Sequence, residues 1–253
     1  MDPRSSQPSQ YKTLDPQRIA ATIDLLRRRV ERRFPQSGLA RVCGELDRIA
    51  EQARQRAAWI ARPIPGLRIV VGLLVALILL GLGGTLAVAV RLPRESFQLL
   101  EFAQVLESGI NDTVLVGAAI FFLVTIEARI KRRRALGAIH EMRAIAHVID
   151  MHQLTKDPEW VLGHGRETGI LPPRSMSRFE LRRYLDYCSE MLSLTGKVAA
   201  LYVQRFDDPV ALQAVNEVED LTNGLSRKIW QKIMILHTLE EGEPPPRPGG
   251  PGA

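Results

Sequence analysis

Apolar residues follow one another without interruption in one part of the chain. The run from Ile69 to Val90 contains 22 residues and no charged side chain. At a rise of about 1.5 Å per residue, a helix of that length reaches about 33 Å, enough to cross a hydrocarbon core of about 30 Å. The run lies too deep in the chain for a cleaved signal sequence. We therefore predict a membrane-spanning helix over residues 66–91.

A second apolar run is shorter. It extends from Thr113 to Ile126, 14 residues bounded by Asp112 and Glu127. A helix of that length, about 21 Å, falls short of the usual requirement for a span. The three residues before Asp112 make up the difference if both carboxylates lie at the membrane surfaces. We predict a second span over residues 110–130, which forms a hairpin with the first.

Small residues recur at a spacing of four in the first predicted span. Gly72 lies four residues before Ala76, and Gly83 lies four residues before Ala87. Small side chains allow two helices to approach closely in lipid. We expect them to pack against the other helix of the hairpin, with packing between subunits as the alternative.

Both flanks of the hairpin have the spacing of amphipathic helices. Asp15 and Pro16 provide a helix cap and a proline at the first helical position, and apolar residues then recur every three or four positions. Ser177 and Glu180 form a capping-box pattern before another such series. No breaker follows the second span, so its helix should continue to about Leu154. These patterns favour helices throughout.

The predicted fold is all-α: a two-span transmembrane helical hairpin with a cytosolic helical bundle formed by the N- and C-terminal flanks. Apolar and acidic residues alternate between the two spans, which predicts a short amphipathic helix on the outer membrane surface. Proline and glycine predict an irregular connection over residues 157–176. The full predicted order is a disordered tail (1–14), an N-terminal cytosolic helical pair (15–62), the first span (66–91), an extracytoplasmic connector with an amphipathic helix (92–109), the second span (110–130), a C-terminal cytosolic helical domain (131–241) and a second disordered tail (242–253).

The uneven distribution of charge predicts the orientation of the hairpin. Residues 1–68 carry a net charge of +7, whereas residues 91–112 carry −2. Basic residues near a membrane are retained on the cytoplasmic side. We therefore expect both termini in the cytoplasm, the acidic connector outside, and the inner membrane of a bacterium as the location. Arg91 and Arg94 oppose this orientation but are outnumbered.

Seven basic residues flank the two spans on the side predicted to be cytoplasmic. Attraction to anionic lipid headgroups contributes about 1 kcal/mol per basic residue near the surface. This accounts for their placement more simply than nucleic-acid binding does. We expect the lipid bilayer as a partner and no nucleic acid. The seven are Arg62, Arg68, Arg129, Lys131, Arg132, Arg133 and Arg134.

A polar stripe after the second span contains potential metal ligands. His140 and His147 are seven residues apart, and Asp150 lies one turn beyond His147. The two imidazoles are then about 10 Å apart along the helix axis, too far for one ion without a ligand from another helix. Arg143 lies between them and repels a cation. We expect a polar surface and no metal or cofactor; a metal site or a pH-sensitive contact is the alternative.

Two further features bear on chemistry. Asp112, with Asn111, lies at the end of the second span, where it is an interfacial residue or, as the alternative, part of the mouth of an ion pathway. Cys43 and Cys188 fall within apolar helical patterns without metal-type spacing, which predicts reduced core cysteines.

Three functions follow from these patterns. We favour a non-enzymatic, membrane-anchored scaffold or regulatory module whose helices bind a partner protein or form a homo-oligomer. The first alternative is a small oligomeric ion channel with a cytosolic helical gate. The second is a metal-dependent membrane enzyme that uses the histidine stripe.

Overall fold

A computed structural model describes residues 13–91, 99–156, 158 and 176–241. These residues form helices and no strands, as the sequence predicted. The helices are α1 (Pro16–Arg33), α2 (Gly38–Ala61), α3 (Pro65–Arg91), α4 (Leu99–Leu154), α5 (Arg178–Leu201) and α6 (Pro209–Glu241).

The chain divides into two compact units. One consists of residues 1–60 and 134–253, and the other of residues 61–133. The first unit therefore contains α1, α2, the last part of α4, α5 and α6. The second contains α3 and the first part of α4.

The helix starts follow the capping signals in the sequence. The Asp15 carboxylate accepts hydrogen bonds from the first amides of α1, and Pro16 is its first residue. The Ser177 hydroxyl accepts from the backbone of Glu180, whose carboxylate accepts in return from the Ser177 backbone. Asp208 caps α6 in the same manner. These contacts satisfy amides that have no partner within the helix.

α4 is longer than the sequence predicted at its start. It is continuous from Leu99, so residues 99–109 of the predicted connector belong to the same helix as the predicted second span. Gly109, the only weak helix former at that junction, does not interrupt it, because glycine costs a helix only about 1 kcal/mol. α4 ends at Leu154, the residue at which the sequence placed its end.

The first unit is built around one apolar core. Each of its helices contributes fully buried side chains, so the periodic apolar positions read from the sequence meet in one interior. Phe34 packs edge-on against Tyr184, with 5.5 Å between ring centroids. Examples of buried side chains from the five helices are Ile23, Leu46, Met142, Leu192 and Ile229.

The second unit exposes its apolar side chains. Two helical stretches are long and apolar enough to cross a membrane, one within α3 and one within α4, and neither is buried in its most apolar window. Leu80, for example, is 74 % exposed. Half-buried positions nevertheless recur at helical spacing on both helices. They are Leu67, Val71, Val75 and Ile78 on α3, and Val116, Ile120, Leu123 and Ile130 on α4.

Two small residues of α3, Gly72 and Gly83, make no close contact with another helix among the described residues. A Cβ atom placed on Gly72 or Gly83 meets no other described atom within 4 Å. Gly72 lies beside the half-buried stripe of α3 rather than in it. Packing between subunits, the alternative, remains a prediction.

Several predicted segments lie outside the described residues. These are most of the N-terminal tail (1–12), the start of the connector (92–98), most of the irregular connection (157 and 159–175) and the C-terminal tail (242–253).

Candidate functional site

Three charged side chains of the second unit meet, one near the start of α3 and two just after the second apolar run in α4. Arg68 donates from Nε to Glu127 Oε2 at 2.6 Å and from a terminal nitrogen to Oε1 at 3.1 Å. The Lys131 ammonium lies 2.8 Å from Glu127 Oε1. The side chains of Glu127 and Lys131 are only 15 % and 11 % exposed. Glu127 thus pairs with two of the seven basic residues within the protein.

The other basic residues are placed differently. The guanidinium of Arg129 lies over Phe122, 5.1 Å from the ring centroid, and that of Arg134 lies over Trp59 at 3.8 Å. Arg62 and Arg133 are exposed. Arg132 is half-buried. The sequence predicted one common role for these seven basic residues. In the structure two of them pair with Glu127, two lie over aromatic rings, two are exposed and one is half-buried.

An open groove lies between α2 and α4 in the first unit. Its volume is about 460 Å³. Apolar side chains, including Ile49, Ile145 and Val148, line its floor. Both signs of charge line its edge: Arg48 pairs with Glu45 at 2.5 Å, and Arg56 pairs with Glu141 at 2.7 Å. The remaining lining residues are Arg41, Val42 and Ala144.

The histidine stripe is not assembled as a metal site in the part of the chain that the structure describes. His140 and His147 are exposed, and Arg143 pairs with Glu217 on α6. Asp150 accepts a hydrogen bond from the Gln153 amide at 2.6 Å. No three His, Cys, Asp or Glu side chains among the described residues lie close enough together to hold an ion.

His152, near the end of α4, contacts another helix. His152 packs against the start of α2, where a Cβ atom on Gly38 would lie 2.3 Å from the His152 ring. Burial lowers the pKa of His152 below its ordinary value, and the positive charges of Arg41 and Lys156 lower it further. This side chain favours its neutral form.

The remaining predicted residues are two exposed polar side chains and two buried cysteines. Asn111 and Asp112 are exposed on α4. Both cysteines are buried and free. Burial raises the pKa of each thiol to about 12, which disfavours the reactive thiolate.

Comparison with protein-family models, with curated proteins and with solved structures yields no match. The candidate sites therefore stand on geometry alone.

Sequence reasoning missed two features that geometry reveals. It placed Arg68 at the lipid surface but did not predict that the side chain pairs with Glu127. The available signal was a pair of opposite charges: Arg68 directly precedes the first apolar run, and Glu127 directly follows the second. It also missed the α2–α4 groove, because no sequence pattern indicates where two amphipathic helices diverge.

Proposed function

We propose that this chain is a membrane-anchored helical scaffold or regulatory module. In this proposal α3 and the first part of α4 cross the membrane as a hairpin, and the helical core unit lies in the cytoplasm with both termini. The observation that carries it is the exposure of apolar side chains around α3 and α4. Such a surface has to be covered by lipid or by protein. The bacterial inner membrane is the proposed location.

The charged contact in the second unit supports the hairpin. The half-buried stripes of α3 and α4 have the three-four spacing of packed helices. Arg68 lies near the start of α3, and Glu127 lies at the end of the second apolar run. An antiparallel pair of spans brings these two positions to the same membrane surface. Basic residues concentrated at that surface favour the cytoplasmic side.

The α2–α4 groove is the proposed interaction surface, with a second copy of the chain as its occupant. In a dimer with two-fold symmetry, the same surface patch of both copies forms the interface, so the patch has to be complementary to itself. The edge of this groove carries both arginine and glutamate, which meets that requirement. Met151, one turn beyond Val148 and 67 % exposed, supplies an apolar side chain to cover the facing groove.

Extraction and topology mapping test the membrane anchor. The expected result is that the full chain resists alkaline carbonate and is released by detergent. In a variant with Cys43→Ala and Cys188→Ala, single cysteines at exposed positions 62 and 220 should react with impermeant maleimide only after the inner membrane is opened. Release by carbonate, or labelling of both positions in intact spheroplasts, contradicts the proposal.

Crosslinking tests the groove in the same cysteine-free background. Val148→Cys should give a dimer with a short bis-maleimide in native membranes. Leu212→Cys is the matched control, because Leu212 on α6 is exposed to a similar degree, 47 % against 39 % for Val148. Equal dimer yield from both positions, or none from Val148→Cys, rules out the groove as a self-contact.

A further inference from the structure

The guanidinium of Arg134 lies over an exposed aromatic ring. Its central carbon is 3.8 Å from the centroid of Trp59, and Trp59 is 50 % exposed. Both residues belong to the same unit. Within the described residues, Arg134 has no ion pair with a carboxylate. Its positive charge is therefore held in place without being neutralised.

Stacking leaves a specific part of the guanidinium available. The ring covers one side of the guanidinium, which leaves N–H donors that the ring does not cover. Those donors match the oxygens of a phosphate group, and a guanidinium already fixed by stacking loses less freedom on binding. The chemistry of the pair thus favours a phosphate ligand.

The position of the pair along the chain indicates where that phosphate comes from. Trp59 lies six residues before Pro65, the first residue of α3, and Arg134 lies seven residues after Glu127. Tryptophan is enriched at the headgroup level of membranes. Lys131, Arg132 and Arg133 immediately precede Arg134 and add positive potential along the same helix.

We propose that Trp59 and Arg134 form a binding site for the phosphate of an anionic phospholipid headgroup. The proposal rests on the membrane anchor proposed above and adds a specific site to it. It also distinguishes Arg134 from Arg68 and Lys131, which share the Glu127 carboxylate as a partner. Selectivity for anionic lipid therefore depends on Arg134 more than on those two residues.

Tryptophan quenching in nanodiscs tests the site with the full chain. Trp160→Phe and Trp230→Phe leave Trp59 as the single tryptophan of the three. Its emission is measured with acyl-brominated phosphatidylglycerol or acyl-brominated phosphatidylcholine at equal mole fraction. We expect phosphatidylglycerol to bind about fivefold more strongly, the equivalent of one basic residue at an anionic surface.

Two substitutions and one control separate the site from general charge. Arg134→Gln should abolish the preference for phosphatidylglycerol, and Arg134→Lys should retain only part of it, because lysine lacks the planar donor edge. Arg33→Gln is the control, since Arg33 also stacks on an aromatic ring, Phe179 on α5, at 5.0 Å. It should keep the full preference.

Each contrary outcome has a defined meaning. Three results would overturn the site while leaving the anchor intact. They are an equal response to the two lipids, a full preference for phosphatidylglycerol in Arg134→Gln, and a wild-type preference in Arg134→Lys. Inorganic phosphate in phosphatidylcholine discs should leave Trp59 emission unchanged; if it reproduces the phosphatidylglycerol response, the lipid assignment is wrong. Failure of the protein to resist carbonate extraction rejects the anchor itself.

Discussion

Arg68 and Glu127 are 59 positions apart in the chain, yet their side chains share two hydrogen bonds of 2.6 and 3.1 Å. Paired hydrogen bonds between a guanidinium and a carboxylate are directional, so they fix the register of the two helix segments. The pair also reduces the cost of placing charges next to apolar runs. Lys131 contacts the same carboxylate, and the group as a whole keeps one positive charge.

Removal of one member of this pair should destabilise the second unit. We expect Arg68→Gln to lower the free energy of unfolding, because Glu127 then keeps only Lys131 as a partner. In a Lys131→Gln background, which removes a like charge beside position 127, the exchange Arg68→Glu with Glu127→Arg should restore part of that loss, because the pair can form again in the opposite sense. Denaturation in mixed micelles, followed by circular dichroism, measures both. A double exchange no more stable than the single variant contradicts a direct contact.

The sequence predicted helices better than it predicted contacts. Asp15 with Pro16, and Ser177 with Glu180, act within a few residues, so local chemistry determines those helix starts. The partner of Arg68 depends instead on how two distant segments align, which no local pattern encodes. The same limit explains why spacing along the helix did not predict that His152 contacts α2.

Stability should fall as pH decreases through the range in which His152 titrates. Its pKa is lowered in the folded state, so the unfolded chain takes up the proton first. The contribution of neutral His152 is therefore complete above about 6.5, the ordinary value, and is lost as pH falls through the lower folded value. Arg41 on α2 and Lys156 after α4 oppose the added charge.

Chemical denaturation at a series of pH values measures this effect. His152→Gln should flatten the decline in unfolding free energy below about 6.5. His140→Gln is the control because His140 is exposed on the same helix, and it should leave the decline unchanged. Equal slopes for wild type and His152→Gln exclude His152 as the source.

Gly38 should be intolerant of even a methyl group. An added Cβ would lie 2.3 Å from His152 Cε1, so the imidazole has to move. We expect Gly38→Ala to cost about 1 kcal/mol of unfolding free energy, at the lower end for overpacked sites. Gly44→Ala in the same helix meets no atom within 4 Å and should stabilise by about 0.5–1 kcal/mol through helix propensity. Thermal unfolding of the two variants compares them directly, and a stable Gly38→Ala contradicts the close approach.

The two cysteines should react only after the protein opens. Both are fully buried, and their thiol pKa values are raised to about 12, so the thiolate is scarce at neutral pH. We expect maleimide labelling of Cys43 and Cys188 to be slow in buffer and rapid in denaturant. A cysteine introduced at exposed position 220 of a cysteine-free chain is the reactive reference. Labelling of the native cysteines at the reference rate disagrees with the packed core.

Purified protein in liposomes should conduct no ions above the background leak. α3 and the first part of α4 expose mainly apolar side chains, whereas a conducting path needs polar groups along its length. Asn111 and Asp112 are neighbours in the chain, so they supply polar groups at a single position along the axis of α4. Potassium flux into sealed vesicles is measured with a potassium-sensitive dye. A known ionophore added at the end confirms that the vesicles are intact. A flux that depends on protein and changes its ion selectivity in Asp112→Asn favours the channel over the anchored module. A flux unchanged by that substitution removes Asp112 from the pathway.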